Sequence, residues 1–335
     1  MANGKRHRIM IKRLWRVVRQ QEGGTTYVPV AVLQRRADLL ELGGNWAGAG
    51  EIYAGNAEAA RLCGDQALYA VNLLESGEVM RKTGDPRRAI ERFGQSLEIM
   101  LALGDYENCG RCHNDLGLAY SDLGDNDRYR THLDQALDMF QRAGHEKGVG
   151  VVYGNLGGLH LDLGEYTAAQ DYYNRQMKIA CAIVDLHGLS SATGGVGNVY
   201  FMQGAFREAE RQYHEALRIA RQAGNAGVEC VSLYNLGDVY FKLGERGAAM
   251  DHYRRSRNIS FRLGDRYGLI LCDQAMAEID AAEGNIEHAL ERLRDALQQC
   301  RDCDNSREAE AVLNKMTELK GLRDRVPQGN SGPDA

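Results

Sequence analysis

The sequence predicts an all-α α-solenoid of about seven helix-turn-helix units, 40 residues each, closed by capping helices. Two observations carry this. Glycine is 39 of 335 residues while proline is 4. That is the composition of many helices with glycine stops, not of a loop-rich fold. Glycine also recurs in one register, at Gly44, Gly84, Gly124, Gly164, Gly204, Gly244 and Gly284. An unbroken period of this length is the mark of stacked supersecondary units.

The chain opens on a basic segment. Residues 1–25 hold Lys5, Arg6, Arg8, Lys12, Arg13, Arg16 and Arg19 against Glu22 alone, in a chain of net charge −5. As a helix, Ile11, Leu14, Trp15 and Val18 would share a face. The expectation is an N-terminal capping helix over 1–25, its basic face turned to water or to the acidic body. A peripheral membrane contact through residues 5–19 is the competing use of that face.

Residues 26–305 read as seven units. A second ladder at the same 40-residue step runs through Ala37, Gly77, Gly117, Gly157, Gly197, Gly237 and Ala277. A small residue at that place lets the second helix of a unit approach the first. A third runs through Gly24, Gly64, Gly104, Gly144, Gly224 and Gly264, where glycine stops the second helix; only Val184 breaks it. A fourth is Ala49, Ala89, Ala169, Ala209, Ala249 and Ala289, with Tyr129 the exception. Within residues 206–222, Phe206, Ala209, Tyr213, Ala216, Leu217 and Ala220 form the apolar stripe of an amphipathic helix. Residues 306–320 occupy a first-helix slot and are expected to cap the C-terminal end. Residues 321–335 are polar and turn-rich and are expected to be a disordered tail.

The chain offers little for chemistry, and neither enzyme nor cofactor is expected. Cys109-Gly110-Arg111-Cys112-His113 matches a haem-attachment string, and Cys300 and Cys303 form a second C-x-x-C. Both lie in repeat helices, almost five units apart, too far for one shared zinc. Small packed thiols are the expectation. Gly148 with Gly150 and Gly195 with Gly197 are lone glycine pairs without a preceding strand, so no phosphate loop is expected. No apolar stretch is long enough to span a membrane, and no secretory signal is visible, which points to a cytoplasmic chain with reduced thiols. The acidic balance argues against nucleic acid and favours basic groups on a partner.

The pattern of Asn235-Leu236-Gly237-Asp238-Val239-Tyr240, continued by Gly244, Ala249 and Tyr253, resembles the tetratricopeptide repeat (TPR). Asn155-Leu156-Gly157, Val196-Gly197-Asn198-Val199-Tyr200 and Leu116-Gly117-Leu118-Ala119-Tyr120 repeat it. The 40-residue unit resembles Pins/LGN-like adaptors and bacterial TPR regulators. The resemblance implies a right-handed superhelix whose first helices line a concave, ligand-binding face. Its ligand-facing slots lie three residues before the ladder glycine and one, four and five after it. In units four to six these are Gly154, Gly158, Leu161 and Asp162; Gly194, Asn198, Phe201 and Met202; and Tyr234, Asp238, Phe241 and Lys242. No unit has lysine three before the ladder glycine, so a carboxylate clamp of the chaperone-binding type is not implied.

The expected function is a non-enzymatic scaffold holding a peptide segment of a partner protein over units four to six. Asn155 and Asn235 would hold its backbone, because a carboxamide offers both donor and acceptor, and Asn198 would face the same segment. Phe201, Met202, Tyr234 and Phe241 would supply apolar anchors. Asp122, Asp162, Asp238 and Glu278 would select basic groups, with Lys242 on the same rim. Gly154, Gly158, Gly194 and Gly195 would let a ligand backbone approach a bare helix surface. A regulatory sensor that changes curvature on binding is the alternative.

Overall fold

A computed structural model describes residues 15–21, 24–42, 46–302 and 306–325. Its repeats are seven pairs of antiparallel helices: α1 (Val30–Leu42) with α2 (Trp46–Cys63), α3 (Gln66–Lys82) with α4 (Pro86–Leu103), α5 (Tyr106–Asp122) with α6 (Asn126–Ala143), α7 (Glu146–Asp162) with α8 (Tyr166–Ala182), α9 (Leu186–Met202) with α10 (Phe206–Ala223), α11 (Ala226–Lys242) with α12 (Arg246–Leu263), and α13 (Arg266–Ala282) with α14 (Ile286–Asp302). The fold is the expected helical solenoid. Among the described residues no helix is long and apolar enough to cross a membrane.

Both ends of these helices follow from local chemistry. Asp65, Asp85, Asp105, Asp125 and Asp265 each accept the backbone N–H three residues on. This satisfies a donor that a helix start leaves free. The stops lie in the left-handed region, as at Gly224 with φ 67°, where glycine alone carries no Cβ penalty. The exception is the one the sequence marks: Val184 takes the same conformation at φ 56°.

The ladders form the core. Ala49, Ala89, Ala169, Ala209, Ala249 and Ala289 are wholly buried. A Cβ on Gly157 would stand 2.8 Å from the Tyr173 ring, and one on Gly197 would stand 2.6 Å from Tyr213. These glycines are small because the tyrosine of the second helix lies flat on them.

The N-terminal expectation is corrected. Residues Trp15–Gln21 form strand β1, not a capping helix, and pair antiparallel with β2 (Gly24–Pro29), from Trp15 opposite Pro29 to Gln21 opposite Gly24. Val17, Val18, Thr25, Thr26, Tyr27 and Val28 are β-branched or aromatic, types that lose side-chain freedom in a helix and suit a ladder. Residues 1–14, which hold most of the basic charge, lie outside the described residues. At the other end, α15 (Ser306–Arg325) buries Val312, Met316 and Leu319 on Leu293, Leu297 and Cys300. Each such side chain contributes roughly 1.5–3 kcal/mol when fully buried. The helix runs on to Arg325, five residues past its expected end and into the stretch expected to be disordered; residues 326–335 lie outside the described residues.

Candidate functional site

The first helices of units four to six enclose a cleft of about 470 Å³. One face of each helix supplies it: Lys147, Val151, Gly154 and Asn155 from α7; Ser191, Gly194, Gly195 and Asn198 from α9; Val228, Val231, Ser232 and Asn235 from α11. The spacings of three, four and seven residues keep each set on a single helical stripe. Tyr173 and Gln176 reach it from α8.

Asn155 and Asn235, expected to hold a backbone, and Asn198, expected to face the ligand, meet here. Asn155 donates Nδ2–H to Asn114 Oδ1 at 2.7 Å, and Asn235 donates to Asn198 Oδ1 at 3.1 Å. The Tyr213 hydroxyl also donates to Asn198 Oδ1, at 2.8 Å. These bonds orient the amides. They leave the Asn155 and Asn235 carbonyl oxygens and the Asn198 Nδ2 group without a side-chain partner among the described residues.

The glycines divide. Gly195 is small because Tyr173 packs on it, as Tyr173 also does on Gly157. Gly194 and Gly158 are open: a Cβ there would come no nearer than 3.9 Å to Ala216 and to the Tyr173 hydroxyl, respectively. A Cβ on Gly154 would meet the Gln176 carboxamide at 2.7 Å. Gln176 is 6% exposed, and its Oε1 is buried without a partner.

The aromatic residues expected in solvent are not there. Phe201 is half-buried against the core of α10 and α11, edge-on to Phe206 at 5.5 Å between centroids. Phe241 and Tyr234 pack against the core around Tyr253, with the Tyr234 ring 5.4 Å from that of Tyr253. Their neighbours in the next helix take up the faces that the repeat resemblance assigned to a ligand. Met202 is 54% exposed. Lys242 and Asp162 are exposed as well, but these three side chains lie outside the cleft lining. Asp238 accepts the Tyr253 hydroxyl at 2.6 Å, and burial pushes its carboxyl up to about 6. Partial burial also raises Asp162. Asp122 is held by Arg81 and Glu278 by Lys315.

Sequence reasoning missed Lys147, Val151, Ser191, Val231 and Ser232. They lie five to ten residues before the ladder glycines, up to two turns nearer the helix N-termini than the slots implied by the resemblance. Extending each slot back by helical periodicity would have found them.

The cysteine string holds packed thiols. Cys109 and Cys112 are fully buried in α5. Burial pushes the Cys112 thiol up to about 12, and it donates to Ser96 Oγ at 3.4 Å. Cys300 sits in a separate core under α15; Cys303 lies outside the described residues.

Comparisons with known proteins agree with this architecture. The chain matches the MalT-like TPR region over residues 116–320, more than half its length, and so belongs to that family of tetratricopeptide-repeat proteins. Residues 30–184 match the soluble NSF attachment protein, SNAP, family. No curated protein matches the sequence. Among solved structures, a tetratricopeptide repeat protein from Parabacteroides merdae is 16% identical, with a TM-score of 0.56 over 87% of this chain and 98% of that one. A Rap protein complexed with competence and sporulation factor is 15% identical, with a TM-score of 0.62 over 88% and 85%. A signal-transduction ATPase with numerous domains and a tetratricopeptide repeat sensor, from Pyrococcus horikoshii, is 16% identical, with a TM-score of 0.58 over 98% of this chain and 52% of that one. At these identities the likeness shows the fold alone.

Proposed function

We propose that the chain is a non-enzymatic scaffold that binds a peptide segment of a partner protein in the cleft of units four to six. One observation carries the reading: Asn155, Asn198 and Asn235 converge on one cleft, already oriented, with amide groups to spare. A peptide main chain presents alternating donors and acceptors that carboxamides match. Val151, at 42% exposed, and Val231, at 57%, give it apolar walls. Asp162, at the end of α7, would meet basic groups on the segment. The Rap protein of similar fold is complexed with a competence and sporulation factor, which supports a ligand in such a solenoid.

Peptides selected from a random dodecamer library on the full chain test this. Asn155→Ala with Asn235→Ala should weaken them by roughly tenfold or more, since each lost hydrogen bond is worth about 0.5–1.5 kcal/mol. Binding by the double variant at wild-type strength would sink the proposal. A sensor reading keeps one supporting observation: the cleft spans three units, so an occupant would fix their relative curvature. Small-angle scattering with and without a selected peptide checks it, and an unchanged radius of gyration counts against it.

A further inference from the structure

In three units a tyrosine of the second helix donates its hydroxyl to the side chain one residue after the ladder position, fifteen residues earlier in the chain. Tyr53 donates to Asp38 at 3.0 Å, Tyr213 to Asn198 at 2.8 Å and Tyr253 to Asp238 at 2.6 Å. Tyr173 is the same residue of unit four, and its partner slot is Gly158. No acceptor is there. Tyr173 is buried like the others, at 6% exposed, yet its hydroxyl makes no hydrogen bond among the described residues, and the residue lines the cleft. One turn back on α7, Gly154 leaves the Gln176 carboxamide at the cleft wall, its Oε1 buried and unpartnered. Buried polar groups are nearly always satisfied, so the buried Gln176 Oε1 calls for an explanation, and the Tyr173 hydroxyl on the same wall lacks the partner that its counterparts have.

We infer that the Gly154–Gly158 notch, with the Tyr173 hydroxyl and the Gln176 carboxamide behind it, receives the main chain of an extended peptide at a residue with a small side chain. The Tyr173 O–H would donate to a peptide carbonyl, and a peptide N–H would donate to Gln176 Oε1. A helical segment is disfavoured because its carbonyls and N–H groups are already spent on one another. A bulky side chain is disfavoured because the Gln176 carboxamide already fills the Cβ place of Gly154, which leaves only the bare face of Gly158 open. This inference rests on the cleft being a peptide site and adds where on the peptide the specificity lies.

The test uses the dodecamers selected on the full chain. Tyr173→Phe removes one hydroxyl and should weaken them roughly three- to tenfold, the value of a single neutral hydrogen bond. Gly158→Asn rebuilds the acceptor that Asn198 gives Tyr213. A Cβ there meets nothing nearer than 3.9 Å, so this variant should melt no lower than wild type while binding at least about tenfold more weakly. The selected sequences should share a Gly, Ala or Ser at one aligned position. If they depend on Asn155 and Asn235 but are indifferent to Tyr173→Phe and Gly158→Asn, or align on a bulky residue, the notch is wrong and the cleft stands. If the library yields no peptide, or only peptides indifferent to all four substitutions, both readings fall.

Discussion

The Tyr253 hydroxyl donates to the Asp238 carboxylate at 2.6 Å, from the second helix of unit six back onto the first. The bond closes the unit across the ladder glycine, Gly237, on which the Tyr253 ring rests. Burial outweighs this hydrogen bond in setting the carboxyl, which sits near 6.

Asp238 therefore makes stability depend on pH. Its folded value of about 6 lies above the unfolded value, about 3.9. A carboxyl raised in this way contributes in full below the unfolded value and loses that contribution as pH rises through about 6. Relative to Asp238→Asn, the wild type should gain about 1–2 kcal/mol between pH 7 and pH 4.5. Urea midpoints of both proteins at the two pH values measure it. A difference that stays constant, or that falls toward acid, refutes the assignment.

Val184 is β-branched and left-handed at φ 56°, where the equivalent stops are glycine. A Cβ in that conformation costs about 1–2 kcal/mol. Val184 is 79% exposed, so replacing it removes little packing. Val184→Gly should raise the urea midpoint, with a gain near 1 kcal/mol after glycine's larger unfolded-state entropy is set against the relieved strain. A lower midpoint would show that the valine is held by contacts worth more than its strain.

Phe201 and Phe241 should act through stability. Full truncation of a buried phenylalanine costs about 3–5 kcal/mol, and these rings are half-buried, so each alanine variant should lose about 2–3 kcal/mol. Thermal melts followed by circular dichroism decide the matter. Variants that melt like wild type but no longer bind the selected peptides would return both rings to the role of ligand anchors.

The thiols should separate by reactivity. Cys181 is exposed, while Cys109, Cys112, Cys230, Cys272 and Cys300 are buried. Burial raises Cys112 and Cys272 to about 12, and only a thiolate attacks. In native protein at pH 8, Cys181 should react with an aromatic disulfide reagent at least about a hundredfold faster than either of them. Peptide mapping of a partial reaction identifies the site. Early labelling at Cys112 would mean that α5 opens readily.

The solenoid was legible in the sequence because a repeat fold is nearly one-dimensional: each unit touches its neighbours, so local pattern and tertiary order repeat together. The ladder glycines and the single irregular stop at Val184 could both be read from the sequence. Asn155, Asn198 and Asn235 were also legible, and the structure gathers them. The basic segment was not, because a short run with apolar residues on alternate and on helical spacings fits either period, and pairing with Thr25–Val28 decides for strand.

What the sequence by itself determined was the unit, its count and its small-residue seams, all set by interactions within forty residues. Only the tertiary structure decided which side chains face the cleft. Phe201 and Phe241 lie on the stripe that faces a ligand in the TPR pattern, but Phe206 packs beside the first and the core around Tyr253 beside the second, and the cleft opens about one turn earlier, at Val151, Ser191 and Val231. It also decided that the Tyr173 hydroxyl lacks the partner its counterparts have. A hydrogen bond is a relation between two helices, and glycine at position 158 shows its consequence only when the tyrosine fifteen residues later is set against it.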